Sequence, residues 1–215
     1  MNRYRAVICD LDGTLLDTLD DLADATNYAL RVNGCPERTR EEVCRFLGNG
    51  VRLLISRAVP EGEQDPKFEA VLSTFRTYYA ANSQHKTAPY PGILALLADL
   101  KAQGVRVAVV SNKFDAAVRD LCAHYFGELV DVAVGESPEV PKKPAPDTVL
   151  RAMSLLGVTP EETVFVGDSD VDVETAKNAG IPCVSVLWGF RDRAFLTAHG
   201  ATAFAENADE LAALL

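Results

Sequence analysis

Three short polar clusters hold the residues best suited to chemistry: Asp10-Leu11-Asp12-Gly13-Thr14, Ser111-Asn112-Lys113 and Gly167-Asp168-Ser169-Asp170-Val171-Asp172. Aspartates brought to one point repel one another, and their pKa values rise unless a cation sits among them. Hard oxygen donors with no Cys or His in the clusters suit Mg²⁺ and disfavour zinc. Around such an ion, Asp10 is a candidate nucleophile able to take a phosphoryl group onto its carboxylate. Asp12 lies two residues on and faces the same way along an extended backbone. It can protonate a leaving oxygen and then activate water. Ser111 and the backbone near Asn112 are candidates to hold phosphate oxygens. A cation from the protein is still needed, and Lys143 in Pro141-Lys142-Lys143-Pro144-Ala145-Pro146 is the best placed, because its prolines stiffen the loop. Lys142 reads as a solvated neighbour, and Lys113, beside Ser111, is a weaker candidate that reads rather as an exposed lysine.

The elements that must position these clusters are legible as alternating patterns. Val- and Ile-rich runs at Ala6–Cys9, 105–110, 130–134, 163–166 and Cys183–Val186 read as strands buried on both faces. Helical spacing separates them, as in Ile93, Leu94, Leu96, Leu97 and Leu100 before Gly104, and in Val149, Leu150, Met153 and Leu156 before Gly157. This alternation predicts an α/β core with a doubly wound, Rossmann-like parallel sheet. In such sheets ligands bind beyond the carboxyl ends of the strands, so three clusters at strand ends converge on one site.

Residues 17–86 break the rhythm. They read as four amphipathic helices with no strand between them. The first carries Leu19, Leu22, Ala23 and Leu30, and the second opens on a Thr39/Glu42 capping box. The third follows Gly48-Asn49-Gly50, and the fourth starts at Asp65-Pro66 with Phe68, Val71, Leu72, Phe75 and Tyr79 on one face. The expected organisation is therefore a core of residues 1–16 and 87–215, with an all-helical cap of residues 17–86 inserted after the first strand.

Twenty-one basic against 31 acidic residues give a net charge of −10, which argues against nucleic acid as a partner. No apolar run is long enough to span a bilayer, and the first residues lack the pattern of a secretory signal. Five cysteines without paired or metal-ligand spacing read as reduced thiols. The expectation is a cytoplasmic protein, monomer or homodimer, acting on a small phosphorylated metabolite.

Taken in order, the three clusters and Lys143-Pro144-Ala145-Pro146 resemble the four motifs of the haloacid dehalogenase superfamily over nearly the whole chain. The resemblance implies Asp10 as nucleophile and Asp12 as acid/base. It implies Mg²⁺ held by Asp10, Asp168 and the backbone carbonyl of Asp12, with Asp172 supporting the metal's water. Ser111, Asn112 and Lys143 would bind phosphate. A carboxylate at Asp12 further implies phosphatase or phosphomutase rather than dehalogenase chemistry. Leu47-Gly48-Asn49-Gly50, Ser111-Asn112-Lys113 and Val186-Leu187-Trp188-Gly189-Phe190 are similar to phosphoglycolate phosphatases, which makes 2-phosphoglycolate the leading substrate. Gly48, Asn49 and Gly50, as a turn dipping towards the substrate, and Arg52, as partner of a substrate carboxylate, are the candidate specificity residues. The same glycines equally read as the end of one helix and the start of the next. A mutase of the β-phosphoglucomutase type and a pyrophosphatase or nucleotidase of the same superfamily are the alternatives. A phospho-accepting signalling module fits less well, because it needs no cap.

Overall fold

The computed structural model describes residues 3–215; Met1 and Asn2, included in the expected core, lie outside the described residues. In chain order the elements are β1 (Ala6–Cys9), β2 (Leu16–Asp17), α1 (Leu19–Val32), α2 (Arg40–Phe46), α3 (Val51–Ala58), α4 (Phe68–Asn82), β3 (Ala88–Pro89), α5 (Ile93–Ala102), β4 (Arg106–Phe114) and α6 (Asp115–Tyr125). They continue with β5 (Val132–Glu136), α7 (Asp147–Leu156), β6 (Thr163–Gly167), α8 (Asp170–Ala179), β7 (Cys183–Val186), α9 (Arg193–Ala198), β8 (Phe204–Ala205) and α10 (Ala208–Leu214). The chain divides into two units: residues up to Leu16 together with Pro89–Leu215, and Asp17–Ala88.

The first unit is built on a six-stranded sheet of order β5-β4-β1-β6-β7-β8 whose pairings are all parallel. Alternation along β1 explains the two layers of helices. Val7 and Cys9 join one buried cluster with Leu96 and Leu97 of α5, Leu121 of α6 and Leu211 of α10. Ala6 and Ile8 point the other way, into Val149, Ala152 and Met153 of α7 and Ala176 of α8. Because helices cover both faces, the strands read as continuous apolar runs. This is the doubly wound fold.

Three details depart from the sequence reading. Leu94 and Leu150 are exposed, because the buried stripes of their helices run 93-96-97-100 and 149-152-153-156, and positions 94 and 150 lie off them. β5 begins at Val132 rather than at residue 130, after a short 3₁₀ turn over Gly127–Leu129. β4 continues past residue 110 through Ser111-Asn112-Lys113 to Phe114, with a register shift against β5 between Val110 and Phe114.

The second unit contains α1 to α4 and no long strand. Phe68, Val71, Leu72, Phe75 and Tyr79 of α4 are buried, as are Leu22, Ala29 and Leu30 of α1. Tyr28 and Tyr78 stack with ring centroids 4.0 Å apart. The Thr39 hydroxyl accepts from the Glu42 N–H at 3.2 Å while Glu42 accepts from the Thr39 N–H at 2.7 Å, a complete capping box for α2. α4 starts at Phe68 rather than at Asp65-Pro66; the Asp65 carboxylate instead accepts from the Lys67 N–H at 2.8 Å, forming the turn that precedes the helix. Asp21, in the first turn of α1, is buried, and its carboxylate accepts from the N–H groups of Lys86 and Thr87 and from the Thr87 hydroxyl at 2.8–3.0 Å.

Candidate active site

Parallel register brings the polar clusters together. Cys9 lies opposite Val109 of β4 and Val166 of β6, and the Asp10 N–H donates to the Val166 carbonyl at 2.9 Å. Asp10, Ser111 and Asp168 therefore lie at nearly the same level of the sheet, all buried. Carboxylate oxygens of Asp10, Asp168 and Asp172 lie within 4.8 Å of one another.

Asp172 reaches the strand ends from the first turn of α8. Its Oδ2 accepts from the N–H groups of Asp168 and Ser169 at 3.2 and 3.1 Å and from the Ser169 hydroxyl at 2.6 Å. Gly167 makes this approach possible, since a Cβ there would collide with the Asp172 side chain. The Asp172 Oδ1 accepts from Lys143 Nζ at 2.7 Å, and the same ammonium lies 2.8 Å from Asp10 Oδ1. Lys143 is almost wholly buried, at 3% side-chain exposure, so its charge is spent on these two aspartates. Burial works against that charge, but Asp10 and Asp172 outweigh it and hold the lysine above its ordinary pKa.

One lysine does not balance three acids. Burial pushes Asp10 up to about 7; Lys143 pulls it down, and the Asp172 charge adds to the rise. Burial, with Asp172 and Asp10 as like charges, also raises Asp168 well above the usual carboxylate range. Such a group of hard oxygen donors fits a divalent cation, which would offset the remaining repulsion.

The other candidates fall into place around this cluster. The Asp12 side chain stands apart from it, its Oδ1 accepting from Lys113 Nζ at 2.6 Å. Lys113, expected to be exposed, has a side chain only 8% exposed because it folds against Asp12. The Asn112 side-chain amide exchanges two hydrogen bonds with the Lys143 backbone, at 2.9 and 2.8 Å, and so holds the lysine loop. The Ser111 hydroxyl, also buried, accepts from the Lys113 N–H at 3.1 Å. Lys142 is exposed, as expected. Burial pushes the thiols of Cys9, Cys122 and Cys183 up to about 12, which keeps them protonated and unreactive.

The candidate specificity residues belong to the helical unit. Gly48 and Gly50 have φ of 122° and 86°, and Gly50 is the N-cap of α3, so the pair ends one helix and begins the next. Arg52 is paired with Glu63 at 2.7 Å and Glu69 at 3.0 Å, and its guanidinium lies over the Phe68 ring. Sequence reasoning passed over Thr14, whose hydroxyl donates to Asp168 Oδ1 at 3.4 Å, and the backbone of Phe190, whose N–H donates to Asp168 Oδ2 at 2.7 Å. A backbone donor carries no residue-type signal, so only the turn after β7 could have hinted at it.

Comparisons with known proteins place the chain in a family. Residues 7–186 match the family model described as haloacid dehalogenase-like hydrolase. A phosphoglycolate phosphatase of Pseudomonas putida is 37% identical over 98% of this chain and 78% of its own length. One from Aquifex aeolicus is 36% identical over 86% of each. A crystal structure of a protein from Lactobacillus delbrueckii subsp. bulgaricus superposes with a TM-score of 0.94 at 37% identity, covering 99% of this chain and 98% of that one.

Proposed function

The chain belongs to the haloacid dehalogenase-like hydrolases and is an enzyme of the phosphoric monoester hydrolase class, and from that premise we propose that it hydrolyses a small phosphomonoester, with 2-phosphoglycolate the leading substrate, through an aspartyl-phosphate on Asp10. The observation that carries this reading is the buried ammonium of Lys143 shared between Asp10 and Asp172 beside Asp168.

In the proposed reaction Asp10 attacks phosphorus, and the ester oxygen leaves with a proton from Asp12. Asp12 then takes a proton from water as that water attacks the aspartyl-phosphate, which releases inorganic phosphate and restores Asp10. Lys113, 2.6 Å from Asp12, keeps that carboxylate aimed between the two steps. Ser111 and the Lys143 ammonium meet the phosphate oxygens, and Asn112 holds the Lys143 backbone in place. Asp10, Asp168 and the Asp12 carbonyl would hold Mg²⁺, with Asp172 supporting it; the ion would neutralise the approach of a phosphate dianion to a carboxylate. The substrate preference draws on the named relatives, two of which are phosphoglycolate phosphatases.

Phosphate release measured over a panel of monoesters, with and without Mg²⁺, tests the proposal. Mg²⁺-dependent turnover fastest on 2-phosphoglycolate is expected. No turnover of any monoester by the folded, Mg²⁺-supplied protein sinks it, and interconversion of sugar phosphates without phosphate release replaces hydrolase by mutase.

A further inference from the structure

Trp188-Gly189-Phe190, the turn that follows β7, takes no part in the chemistry just described, yet it is built onto the site. The Phe190 N–H donates to Asp168 Oδ2 at 2.7 Å, and the Trp188 indole N–H donates to the Thr14 carbonyl at 3.0 Å. Thr14 closes the circuit through its hydroxyl on Asp168 Oδ1. Gly189 sits between these contacts with no spare room: a Cβ there would collide with the Asp168 side chain and the Gly13 carbonyl. A Cβ on Gly13 would in turn meet the Asp168 carboxylate and lie 2.9 Å from the Phe190 ring. Trp188 packs on the buried cluster that contains Leu11 and Leu15, with its ring 6.3 Å from that of Tyr90. The turn is therefore anchored at one end in the core and applied at the other to a single carboxylate.

Asp168 needs such a hold. Asp10 and Asp172 repel it, and two side-chain torsions would let it swing away. A backbone N–H on one oxygen resists that motion without adding a mobile charge. We propose that Trp188-Gly189-Phe190 is a positioning strut for the divalent-cation site, fixing the orientation of the Asp168 carboxylate towards Asp10. The inference rests on the reading that Asp10 and Asp168 hold a cation. Partners that orient metal ligands typically contribute about 10- to 100-fold in metal affinity.

The test is direct titration of purified protein with Mg²⁺ alone by calorimetry, beside thermal melts taken without Mg²⁺. Trp188→Phe keeps a ring in the core and removes the bond to Thr14. Gly189→Ala inserts the colliding methyl group; Gly189 is not among the glycines with positive φ, so contact rather than backbone strain decides its effect. Trp188→Phe is expected to weaken Mg²⁺ binding about 10-fold, and Gly189→Ala by up to about 100-fold, while both stay folded. If Gly189→Ala does not fold, Trp188→Phe decides alone. Folded variants that bind Mg²⁺ as the parent protein does overturn the strut, even if their melting temperatures fall, because packing alone would move stability and not affinity. A parent protein that binds no Mg²⁺ overturns the cation reading itself, so the two failures are distinguishable.

Discussion

The buried aspartates of the two units are handled in two opposite ways. Asp21 in the helical unit is surrounded by donors, with two backbone N–H groups and a hydroxyl on its two oxygens. At the sheet edge Asp172 is treated the same way, taking three donors on one oxygen and Lys143 on the other. Asp10 and Asp168 are different. They face like charges: Asp10 shares Lys143 with Asp172, Asp168 takes the Phe190 N–H and the Thr14 hydroxyl but no cation among the described residues, and both are pushed up from the ordinary carboxylate range. A buried acid supplied with donors serves the fold, whereas a buried acid left facing other acids is a site waiting for opposite charge.

Asp10→Asn should break the comparison most sharply. It removes the nucleophile and one repelling charge together, so phosphate release should fall by about 10³-fold or more while the melting temperature holds or rises. Normal turnover in that variant would exclude a covalent role for Asp10. Lys143→Met strips the shared ammonium and leaves Asp10 and Asp172 uncompensated; breaking a buried pair in this way costs about 3–5 kcal/mol. Urea unfolding should show that loss, and Mg²⁺ should raise the melting temperature more in this variant than in the parent. An equal Mg²⁺ response in both would mean that lysine and cation do not share a task.

Asp21→Ala should act on stability, at about 1–3 kcal/mol for donors left unpaired in the interior. Chemical denaturation would measure it, and an unchanged midpoint would show that water replaces the carboxylate. Lys113→Met should have the smallest effect, about a 10-fold fall in kcat with little change in KM, partly restored by Lys113→Arg. A change confined to KM would instead make Lys113 a substrate contact.

Much of the core was legible because its code is local. Strand runs, helical stripes and the Thr39/Glu42 capping box depend on neighbours a few residues apart, and the aspartate clusters announced themselves by type and spacing. Misreadings arose where a decision passed between distant segments. Lys113 has the composition of an exposed residue, but its partner Asp12 lies 101 residues away, in the turn after β1. That the Asn112 amide holds the backbone of Lys143, 31 residues away, is written in neither segment alone. Phe190 acts on Asp168 through a backbone N–H, which every residue but proline possesses.

By itself, then, the sequence determined the doubly wound core, the run of helices interrupting it and the residue types able to handle a phosphate ester, since periodicity and side-chain chemistry are properties of the chain alone. Only the tertiary structure decided which of those side chains are committed to one another: Lys143 to two aspartates, Lys113 to Asp12, and the turn after β7 to Asp168. The physical reason is that hydrogen bonds and charge compensation act over about 3 Å in space, a distance that sequence separation does not encode.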